Sequence, residues 1–492
     1  MSIVAQFDYD VIVIGGGSAG LACAKEANEL GAKVLCIDYV KPTPRSSSWG
    51  IGGTCVNVGC IPKKLMHEAA LLGEAIHDAT KYGWKIPNEE NITINWTNII
   101  TEIQNQIKST NWVIRVELRT KNIKYINGAA SFIDDHTVRV KMKDDSEVQH
   151  SGRYIVIAIG LRPMYPNIPG AREYGITSDD LFSWPKAPGK TLIVGAGYIS
   201  MECAGFLRLF GFDVTIMVRE KVLRNFDQQM ANIIAESLKE RGIQLLIPYK
   251  PLSVEQLENG RLLVKYMNVK FSSEQTEVFD TVIWATGRKG DLKELNIEVI
   301  NLKVDDKLIV VNDEECTNVE NIYAVGDITK GRPQLTPVAI MAGRLLAQRL
   351  FSHSKQKLNY ENVASALFTP LEYAFVGKSE EAAIREYGEQ NIEVYHSYYN
   401  PLEYSLPEKI VEYCYIKVIA QREDEQRILG IHFVGPNAGN VIQGYSVALN
   451  CGLNIETLFN TVGVNITNAQ EITRTYITKR SGLDPSSLVN FV

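Results

Sequence analysis

The sequence predicts an α/β protein built around two copies of one strand–turn–helix–strand unit. In the first copy, the apolar strand DVIVI is followed by a glycine-rich turn at residues 15–20, an Ala-rich helix and a second strand that ends at Asp38. The same order returns from Thr191, and Gly195 stands 180 residues after Gly15. Both copies have the Rossmann-like βαβ pattern. A chain of 492 residues is too long for one core, so about three domains are expected.

The turn of the first unit has the residues that a bound dinucleotide requires. Gly15 permits the tight turn, Gly17 lets the backbone approach a pyrophosphate, and Gly20 lets helix and strand pack closely. The phosphates would rest on the helix N-terminus, where Ser18 stands. Asp38, about 20 residues further on, is placed to accept hydrogen bonds from ribose hydroxyls. A glycine-rich turn can also be only a turn, but the strand context and the acid favour the nucleotide.

The second unit differs from the first in two informative ways. Its turn consists of Gly195, Ala196, Gly197, Tyr198, Ile199 and Ser200. Ser200 replaces the third glycine, which is tolerable because a small residue still packs there. After the second strand, Arg219, Lys221 and Arg224 stand where the first unit has Asp38. A cationic cluster suits a 2′-phosphate, so NADPH is favoured over NADH. The alternative is a solvated basic loop, which the adjacent Glu220 keeps open.

A cysteine pair lies just before a helix-forming stretch, in the segment GGTCVNVGCIPKKLM. Cys55 and Cys60 are five residues apart. An ideal helix would hold their Cα atoms about 8.7 Å apart, beyond the roughly 7 Å limit for a disulfide. A bridge therefore requires a distorted first turn, which neighbouring glycines such as Gly59 permit. A helix N-terminus and the nearby Lys63 would stabilise a thiolate. The alternative is two unrelated core thiols.

Composition excludes several other classes of protein. Hydrophobic residues make up 45% of the chain and charged residues 22%, and the net charge of −6 does not indicate a nucleic-acid or acidic-membrane partner. The eight cysteines lack the second pair or histidine doublet of a zinc site, so no metal is expected. No apolar run reaches the roughly 18 residues of a membrane span. Since the first residues lack a basic n-region or an Arg-rich presequence, a cytoplasmic location is expected.

These motifs resemble the pyridine nucleotide-disulfide oxidoreductases. The closest resemblance is to the high-molecular-weight thioredoxin reductases of animals, especially insects, and glutathione reductase is the neighbouring branch. It rests on GGTCVNVGCIPKK, GAGYISME, WATGR, IYAVGD, LTPVA and FTPLEYAFVG. It implies that Cys60 is the thiolate nearer the flavin and that Cys55 is the interchange thiol that attacks the substrate disulfide. It also implies that Lys63 and Glu202 lie beside the flavin N5.

The resemblance implies FAD in the first nucleotide fold and NADPH in the second. The residues expected to bind these cofactors are Gly15, Gly17, Ser18, Gly20, Asp38, Thr54, Lys63, Ala129, Gly160, Gly195, Gly197, Tyr198, Ile199, Glu202, Arg219, Arg224, Gly287, Arg288, Asp327 and Thr336. The implied domains are an FAD-binding domain (1–160), an NADPH-binding domain (161–287), a return segment of the FAD domain (288–365) and an α+β C-terminal dimerisation domain (366–492). A homodimer is expected, because in this family each active site borrows residues from its partner.

The sequence departs from the family where the acid–base residues are expected. The family has a His-Pro-Thr motif with a glutamate five residues after the histidine, whereas Asn465 and Gln470 occupy those positions here. An amide cannot shuttle protons near neutral pH, and a positioned histidine contributes roughly 10²- to 10⁴-fold to such reactions. Glu471 is the remaining ionisable candidate, although it matches a position with no direct role. The ending SGLDPSSLVNFV also lacks the redox cysteines of the family's tail.

The expected function is an NADPH-dependent disulfide reductase of thioredoxin reductase type. Electrons would pass from NADPH through FAD to the Cys55–Cys60 disulfide, and then to thioredoxin or a small disulfide. Turnover is expected to be impaired by the missing acid–base pair and tail. One alternative is a catalytically degenerate paralogue that acts by forming a heterodimer with an active relative. Another is a flavin reductase that passes electrons from NADPH to quinones or other small acceptors.

Overall fold

The computed structural model describes residues 7–88 and 91–486. Within these residues the α-helices are α1 (Ser18–Glu29), α2 (Gly53–Val58), α3 (Cys60–Lys81), α4 (Trp96–Thr120), α5 (Ala171–Tyr174), α6 (Ser178–Leu181), α7 (Tyr198–Leu209), α8 (Gln228–Glu240), α9 (Thr336–Phe351), α10 (Glu380–Tyr387), α11 (Ala438–Asn450) and α12 (Ile455–Asn460). Short 3₁₀ helices span Lys293–Leu295, Ile297–Ile300, Glu389–Asn391, Leu402–Tyr404, Asp424–Gln426, Gln470–Arg474 and Lys479–Ser481.

The strands outline several sheets. In chain order they are β1 (Tyr9–Ile14), β2 (Val34–Asp38), β3 (Lys124–Phe132), β4 (Thr137–Met142), β5 (Glu147–Ile157), β6 (Arg162–Pro163), β7 (Ile176–Thr177), β8 (Thr191–Val194), β9 (Val214–Met217), β10 (Gln244–Leu246), β11 (Tyr249–Gln256), β12 (Leu262–Asn268), β13 (Glu274–Phe279), β14 (Thr281–Trp284), β15 (Arg288–Lys289), β16 (Val304–Asp305), β17 (Leu308–Ile309), β18 (Ile322–Ala324), β19 (Ser365–Leu367), β20 (Glu372–Gly377), β21 (Ile392–Tyr398), β22 (Tyr415–Gln421) and β23 (Ile428–Gly435).

The chain divides into two compact units, and the first contains residues 1–63, 96–187 and 286–360. Its central parallel sheet has the order β3-β2-β1-β5-β18, and β3, β4 and β5 continue as an antiparallel layer. Strand side chains alternate between the two faces, and both faces of β1 are apolar. Val11 and Val13 pack with α1 and α9, whereas Ile12 and Ile14 pack with the antiparallel layer. The sheet is therefore buried on both faces.

Helices α1 and α9 cross closely at Gly343. A Cβ atom at this position would lie 2.4 Å from the carbonyl oxygen of Ala19 and 3.1 Å from the amide nitrogen of Cys23. Real Cβ contacts are not this short, so only glycine permits the approach of the two backbones. The crossing holds α9 against α1, and each of these helices begins at a predicted cofactor-binding residue, Thr336 and Ser18.

The second unit contains residues 64–95, 188–285 and 361–492. Its parallel sheet has the order β10-β9-β8-β14, and the residues of β8, β9 and β14 are all buried. Strands β11, β12 and β13, which follow β10 in the sequence, form an antiparallel sheet. The repeat of the sequence thus returns as a second strand–turn–helix–strand fold, with α7 as its helix.

The C-terminal part of the second unit is an antiparallel sheet with helices. Its strand order is β19-β20-β23-β22-β21. At its edge, the backbone amides of His396 and Tyr398 donate to the carbonyl oxygens of Ile477 (2.8 Å) and Pro485 (3.0 Å). Residues 477–486 therefore follow β21 as an additional edge segment. The last six residues of the ending SGLDPSSLVNFV lie outside the described residues.

The predicted fold class is confirmed: two dinucleotide-binding folds of α/β type accompany an α+β C-terminal domain. The bounds of the four predicted domain segments stay predictions. No helix in the described part of the chain has the length and apolar character needed to cross a membrane. Within residues 7–88 and 91–486, no three His, Cys, Asp or Glu side chains are grouped to hold a metal ion.

We expect Gly343→Ala to lower stability, because the added methyl group forces α1 and α9 apart. Such overpacking lowers the free energy of unfolding by about 1–3 kcal/mol. The loss is detected as a lower thermal midpoint of the purified protein. Gly73 on α3 is the matched control, since a Cβ atom there meets nothing within 4 Å. Gly73→Ala should gain up to about 1 kcal/mol from helix propensity. Equal midpoints for the two variants would contradict the role of the crossing.

Candidate active site

The first glycine-rich turn is held by backbone contacts that exclude side chains. Gly15 has φ +120°, and its amide donates to the carbonyl oxygen of Ile37 at 2.7 Å. A Cβ atom at Gly20 would lie 1.9 Å from the carbonyl oxygen of Gly15, so the close packing predicted for this glycine is present. Asp38 accepts from the Gly16 amide at 2.9 Å. Burial raises the pKa of Asp38, and backbone hydrogen bonds from Gly16 and Tyr39 oppose that rise.

The second turn repeats this construction with one substitution. Gly195 has φ +122°, and its amide donates to the carbonyl oxygen of Met217 at 3.0 Å. Ser200 is fully buried, and its hydroxyl donates to the carbonyl oxygen of Gly195 at 2.7 Å. In the first unit, Gly20 packs against the carbonyl oxygen of Gly15. Ser200 has the position of Gly20 in the second unit, and it hydrogen-bonds the equivalent carbonyl oxygen, that of Gly195. This contact explains how the second unit keeps its close packing without a third glycine.

Both turns fit the pyrophosphate of a dinucleotide. Gly17 and Gly197 stand at the N-caps of the 12-residue helices α1 and α7, and neither helix has an acidic residue in its first turn. A Cβ atom at Gly197 would meet nothing within 4 Å, and one at Gly17 only the Cα of Gly53 at 3.6 Å. The space in front of each helix N-terminus is therefore open to an anion.

The three cations predicted for a 2′-phosphate lie together after β9. Arg219, Lys221 and Arg224 are all exposed. Their loop is tied to the glycine turn, because the amide of Leu223 donates to the carbonyl oxygen of Ala196 at 2.8 Å. The loop that carries these cations is thus held beside the glycine turn at the N-terminus of α7. Their assignment as NADPH ligands stays a prediction.

The cysteine pair lies at a break between two helices. Cys55 is on α2, Cys60 is the first residue of α3, and Gly59 between them is not helical, with φ −140° and ψ −115°. A Cβ atom at Gly59 would lie 2.9 Å from the carbonyl oxygen of Thr54. The predicted distortion is therefore present, and it brings the two thiols within hydrogen-bond reach of each other. Both cysteines are thiols in this structure.

The environments of the two sulfurs differ. The hydrogen bond to Cys60, burial and the Cys60 charge raise the pKa of the Cys55 thiol well above its ordinary value. Cys60 begins the 22-residue helix α3, and its Sγ lies 3.4 Å from the hydroxyl of Thr336. Aligned amides at a helix N-terminus and a hydroxyl donor both favour a thiolate. The Thr336 hydroxyl and the Cys60 amide also lower the pKa of Cys55, but the contact with the Cys60 side chain and burial outweigh them. When the pair holds one proton, the proton therefore belongs on Cys55 and the negative charge on Cys60.

Arg288 joins several predicted cofactor residues of the first unit. Its guanidinium donates to the carbonyl oxygen of Leu161 (2.9 Å) and to the hydroxyl of Thr54 (3.2 Å). It also pairs with the fully buried Asp179 at 3.4 Å. Burial raises the pKa of Asp327, and the Arg288 charge opposes that rise. This arginine therefore fixes the segments on which Thr54 and Gly160 lie.

The other predicted residues occupy ordinary positions in their elements. Glu202 on α7 is buried, and its carboxylate accepts from the Phe368 amide at 2.9 Å. Tyr198 and Ile199 begin α7, Lys63 lies in the first turn of α3, and Ala129 lies on β3. Gly160 and Gly287 have positive φ values of 63° and 111°. The pairing of Lys63 with Glu202 stays a prediction.

The positions that the resemblance assigned to acid–base chemistry carry amides in unequal environments. Asn465 is exposed and Gln470 is buried, and no hydrogen bond joins their side chains among the described residues. Glu471 lines a cavity of about 290 Å³ together with Ile466, Asn468 and Glu403. Burial raises the pKa of the Glu471 carboxyl, opposed by Arg474. The segment therefore holds one carboxyl that binds a proton more readily than usual.

Sequence reasoning missed Asp179. Its carboxylate lies 3.4 Å from the Arg288 guanidinium and 3.2 Å from the Arg162 guanidinium. Thr177 and Asp180 form a capping box on α6 that holds this acid in place. The segment TSDD matches the capping-box pattern, which could have predicted the short helix. Nothing local in the sequence indicates its two arginine partners.

Two family models and one curated relative match most of the chain. A family model described as pyridine nucleotide-disulphide oxidoreductase matches residues 9–343. A second model, described as the dimerisation domain of pyridine nucleotide-disulphide oxidoreductase, matches residues 363–476. The chain is 55% identical over 482 residues to thioredoxin reductase 2, mitochondrial, of Drosophila melanogaster, and the alignment covers 98% of this chain and 93% of that protein.

We expect alkylation of Cys55 in the reduced protein to accelerate with pH. Because its pKa is raised, Cys55 is protonated at neutral pH, and its reactive thiolate should increase about tenfold per pH unit between pH 6 and 9. Iodoacetamide labelling followed by peptide mass spectrometry measures this rate. In the Cys60→Ser variant the profile should move to lower pH, because the contact with the largest effect on Cys55 is lost. A plateau below pH 8 in the unchanged protein would contradict this assignment.

Proposed function

Because this chain belongs to the pyridine nucleotide-disulphide oxidoreductase family, we propose that it is a thioredoxin reductase-type enzyme that accepts electrons readily but delivers them slowly. FAD and NADPH are the cofactors of this type of enzyme. The observation that carries the proposal is the contrast between the hydrogen-bonded pair Cys55 and Cys60 and the amides at Asn465 and Gln470.

The residues of the first unit support electron entry. FAD, when bound, supplies the two-electron transfer between the nicotinamide and the cysteine pair. Thr54, Arg288, Asp327 and Thr336 would hold it, and the first glycine turn would hold its pyrophosphate. On reduction, Cys60 keeps the negative charge at the N-terminus of α3, and Cys55 keeps the proton. Cys55 is then the sulfur that attacks the substrate disulfide.

The amides at Asn465 and Gln470 weaken the step in which Cys55 passes electrons to the acceptor. Cys55 must lose its proton before it attacks, and its raised pKa makes this loss unfavourable at neutral pH. A histidine at position 465 could take that proton, whereas an asparagine cannot. Without such a base, turnover should fall by roughly 10²- to 10⁴-fold. Glu471 has a raised pKa, but it matches a position with no direct role in the family, so we assign it no catalytic role.

The proposed electron acceptor is thioredoxin, the substrate in the name of the Drosophila relative. A small disulfide is the simpler acceptor, since it reaches a partly exposed cysteine without a protein interface. The dimerisation-domain match supports a homodimer as the working assembly. The cytoplasmic location stays a prediction.

A second candidate function follows from the same two amides. If each site of the dimer uses one chain's cysteines and the other chain's acid–base residues, a mixed dimer with an active relative would contain one complete site. The site with this chain's cysteines would use the acid–base residues of the active relative, so it would be complete. Asn465 and Gln470 would impair only the other site, which favours this heterodimer. Co-expression of differently tagged chains should recover mixed dimers, and recovery of homodimers alone would exclude the idea.

We expect NADPH to reduce the enzyme fully under anaerobic conditions, followed by slow oxidation by thioredoxin or a small disulfide. Stopped-flow absorbance separates the two half-reactions.

Asn465→His should raise small-disulfide turnover by about tenfold or more, because it restores a group that can accept the Cys55 proton. Asn468→His, in the same segment, is the control and should have no effect. Rapid thioredoxin turnover by the unchanged protein would contradict slow delivery. Quinone reduction that persists in Cys60→Ser would instead indicate a flavin reductase.

A further inference from the structure

A buried network of charges lies in the second unit, away from the cysteine pair in sequence. The ammonium group of Lys417, which has no exposed surface, donates to both carboxylate oxygens of Asp227 (2.8 and 3.0 Å) and to Glu380 (2.7 Å). Lys479 donates to the same Glu380 oxygen (2.6 Å) and to the side-chain carbonyl of Gln229 (2.8 Å). Two ammonium groups thus balance two carboxylates.

The network ends on the loop that carries the exposed cations. Asp227 caps α8 by accepting from the Met230 amide at 3.2 Å. The adjacent Gln228 side chain donates to the carbonyl oxygens of Leu223 (3.2 Å) and Phe226 (3.0 Å). Leu223 directly precedes Arg224, and its amide is bonded to Ala196 in the second glycine turn. The position of the cationic loop therefore depends on how Asp227 and Gln228 are held.

Lys479 reaches this network from the C-terminal edge segment. Its neighbour Arg480 fastens the same segment separately, by donating to the carbonyl oxygens of Glu389 (3.1 Å) and Ile392 (3.3 Å). The hydroxyl of Thr478 accepts from the Ser481 amide at 3.2 Å. Backbone hydrogen bonds from His396 and Tyr398 also hold the segment, so it stays attached when either side chain is lost. Loss of Lys479 therefore removes one charge from the network without detaching the segment.

The effect of losing the Lys479 ammonium group depends on the charges that remain in the network. Burial would raise the pKa of Glu380, but Lys417 and Lys479 outweigh it and lower the pKa. Burial would raise the pKa of Asp227, but the nearby His432 and Lys417 lower it to about 2. Burial lowers the pKa of His432 itself, so this ring is uncharged at neutral pH and Lys417 is the cation that Asp227 keeps. Both acids are therefore ionised, and without Lys479 they would share a single ammonium. A buried carboxylate that loses its partner is costly, so Lys417 would move toward Glu380 and away from Asp227.

We propose that Lys479 is a positioning residue for NADPH, acting through Glu380, Lys417 and Asp227 on the loop that selects the 2′-phosphate. This inference rests on the proposed role of Arg219 and Arg224 as ligands of that phosphate. NADH lacks the phosphate, so its use should not depend on the network. Lys479 is thus expected to contribute to cofactor selectivity without touching the cofactor.

The test compares NADPH and NADH as reductants of the FAD-loaded enzyme variants by stopped-flow absorbance. For Lys479→Met, the second-order rate constant for flavin reduction by NADPH should fall about tenfold, which corresponds to roughly 1.4 kcal/mol, while the rate constant with NADH stays unchanged. Arg480→Met is the matched control and should preserve the selectivity. Lys479→Arg should restore it, because the guanidinium keeps the charge. An equal loss with both reductants, or the same loss in Arg480→Met, would overturn the proposal.

A double variant keeps the test decisive if Lys479→Met lowers stability. Lys479→Met combined with Glu380→Gln removes one charge of each sign, so it should recover both the thermal midpoint and the NADPH selectivity. Failure of the double variant to recover selectivity would overturn the proposal. Arg224→Gln tests the underlying assignment separately. If Arg224→Gln leaves the preference for NADPH unchanged, the phosphate ligands are wrongly assigned, whatever Lys479→Met does.

Discussion

The chain breaks its helical path at Gly59, and the chemistry of this protein depends on that break. A continuous helix would keep Cys55 and Cys60 too far apart to exchange electrons through a disulfide. The break instead begins a long helix at Cys60 and leaves Cys55 on the short helix before it. The same backbone feature therefore brings the sulfurs together and makes them unequal. Cys60 is the first residue of the long helix α3, whereas Cys55 is more buried and keeps its proton.

This inequality explains why the residue at position 465 matters. A thiol with an ordinary pKa of about 8.5 is only a few per cent thiolate at neutral pH, and a raised pKa makes that fraction smaller still. The Cys55 thiol has a raised pKa, so it depends on a base at the moment of attack. Asn465 offers an amide on an exposed segment, and Gln470 is buried apart from it. In the function that we propose, the cysteine pair keeps the arrangement that needs a base, while the position that the resemblance assigns to that base carries an amide.

The sequence predicts those features that depend on neighbouring residues. The two glycine turns, the helix break near Gly59 and the cationic loop after β9 are each encoded within about 30 residues, which is the span of one βαβ unit. The buried charges are different. Asp227, Glu380, Lys417 and Lys479 are separated by tens to hundreds of residues, and each alone reads as a surface charge. Asp179 was missed for the same reason, because its partners Arg162 and Arg288 come from other parts of the chain.

The edge segment at residues 477–486 has a consequence for the solution behaviour of the protein. An uncovered edge strand presents a row of free amides and carbonyls, and other chains can add to it as extra strands. Here two hydrogen bonds from β21 are already taken by Ile477 and Pro485. Pro485 also lacks an amide proton of its own, so the segment is a poor template for another strand. The segment that delivers Lys479 to the charge network thus also protects the sheet from aggregation.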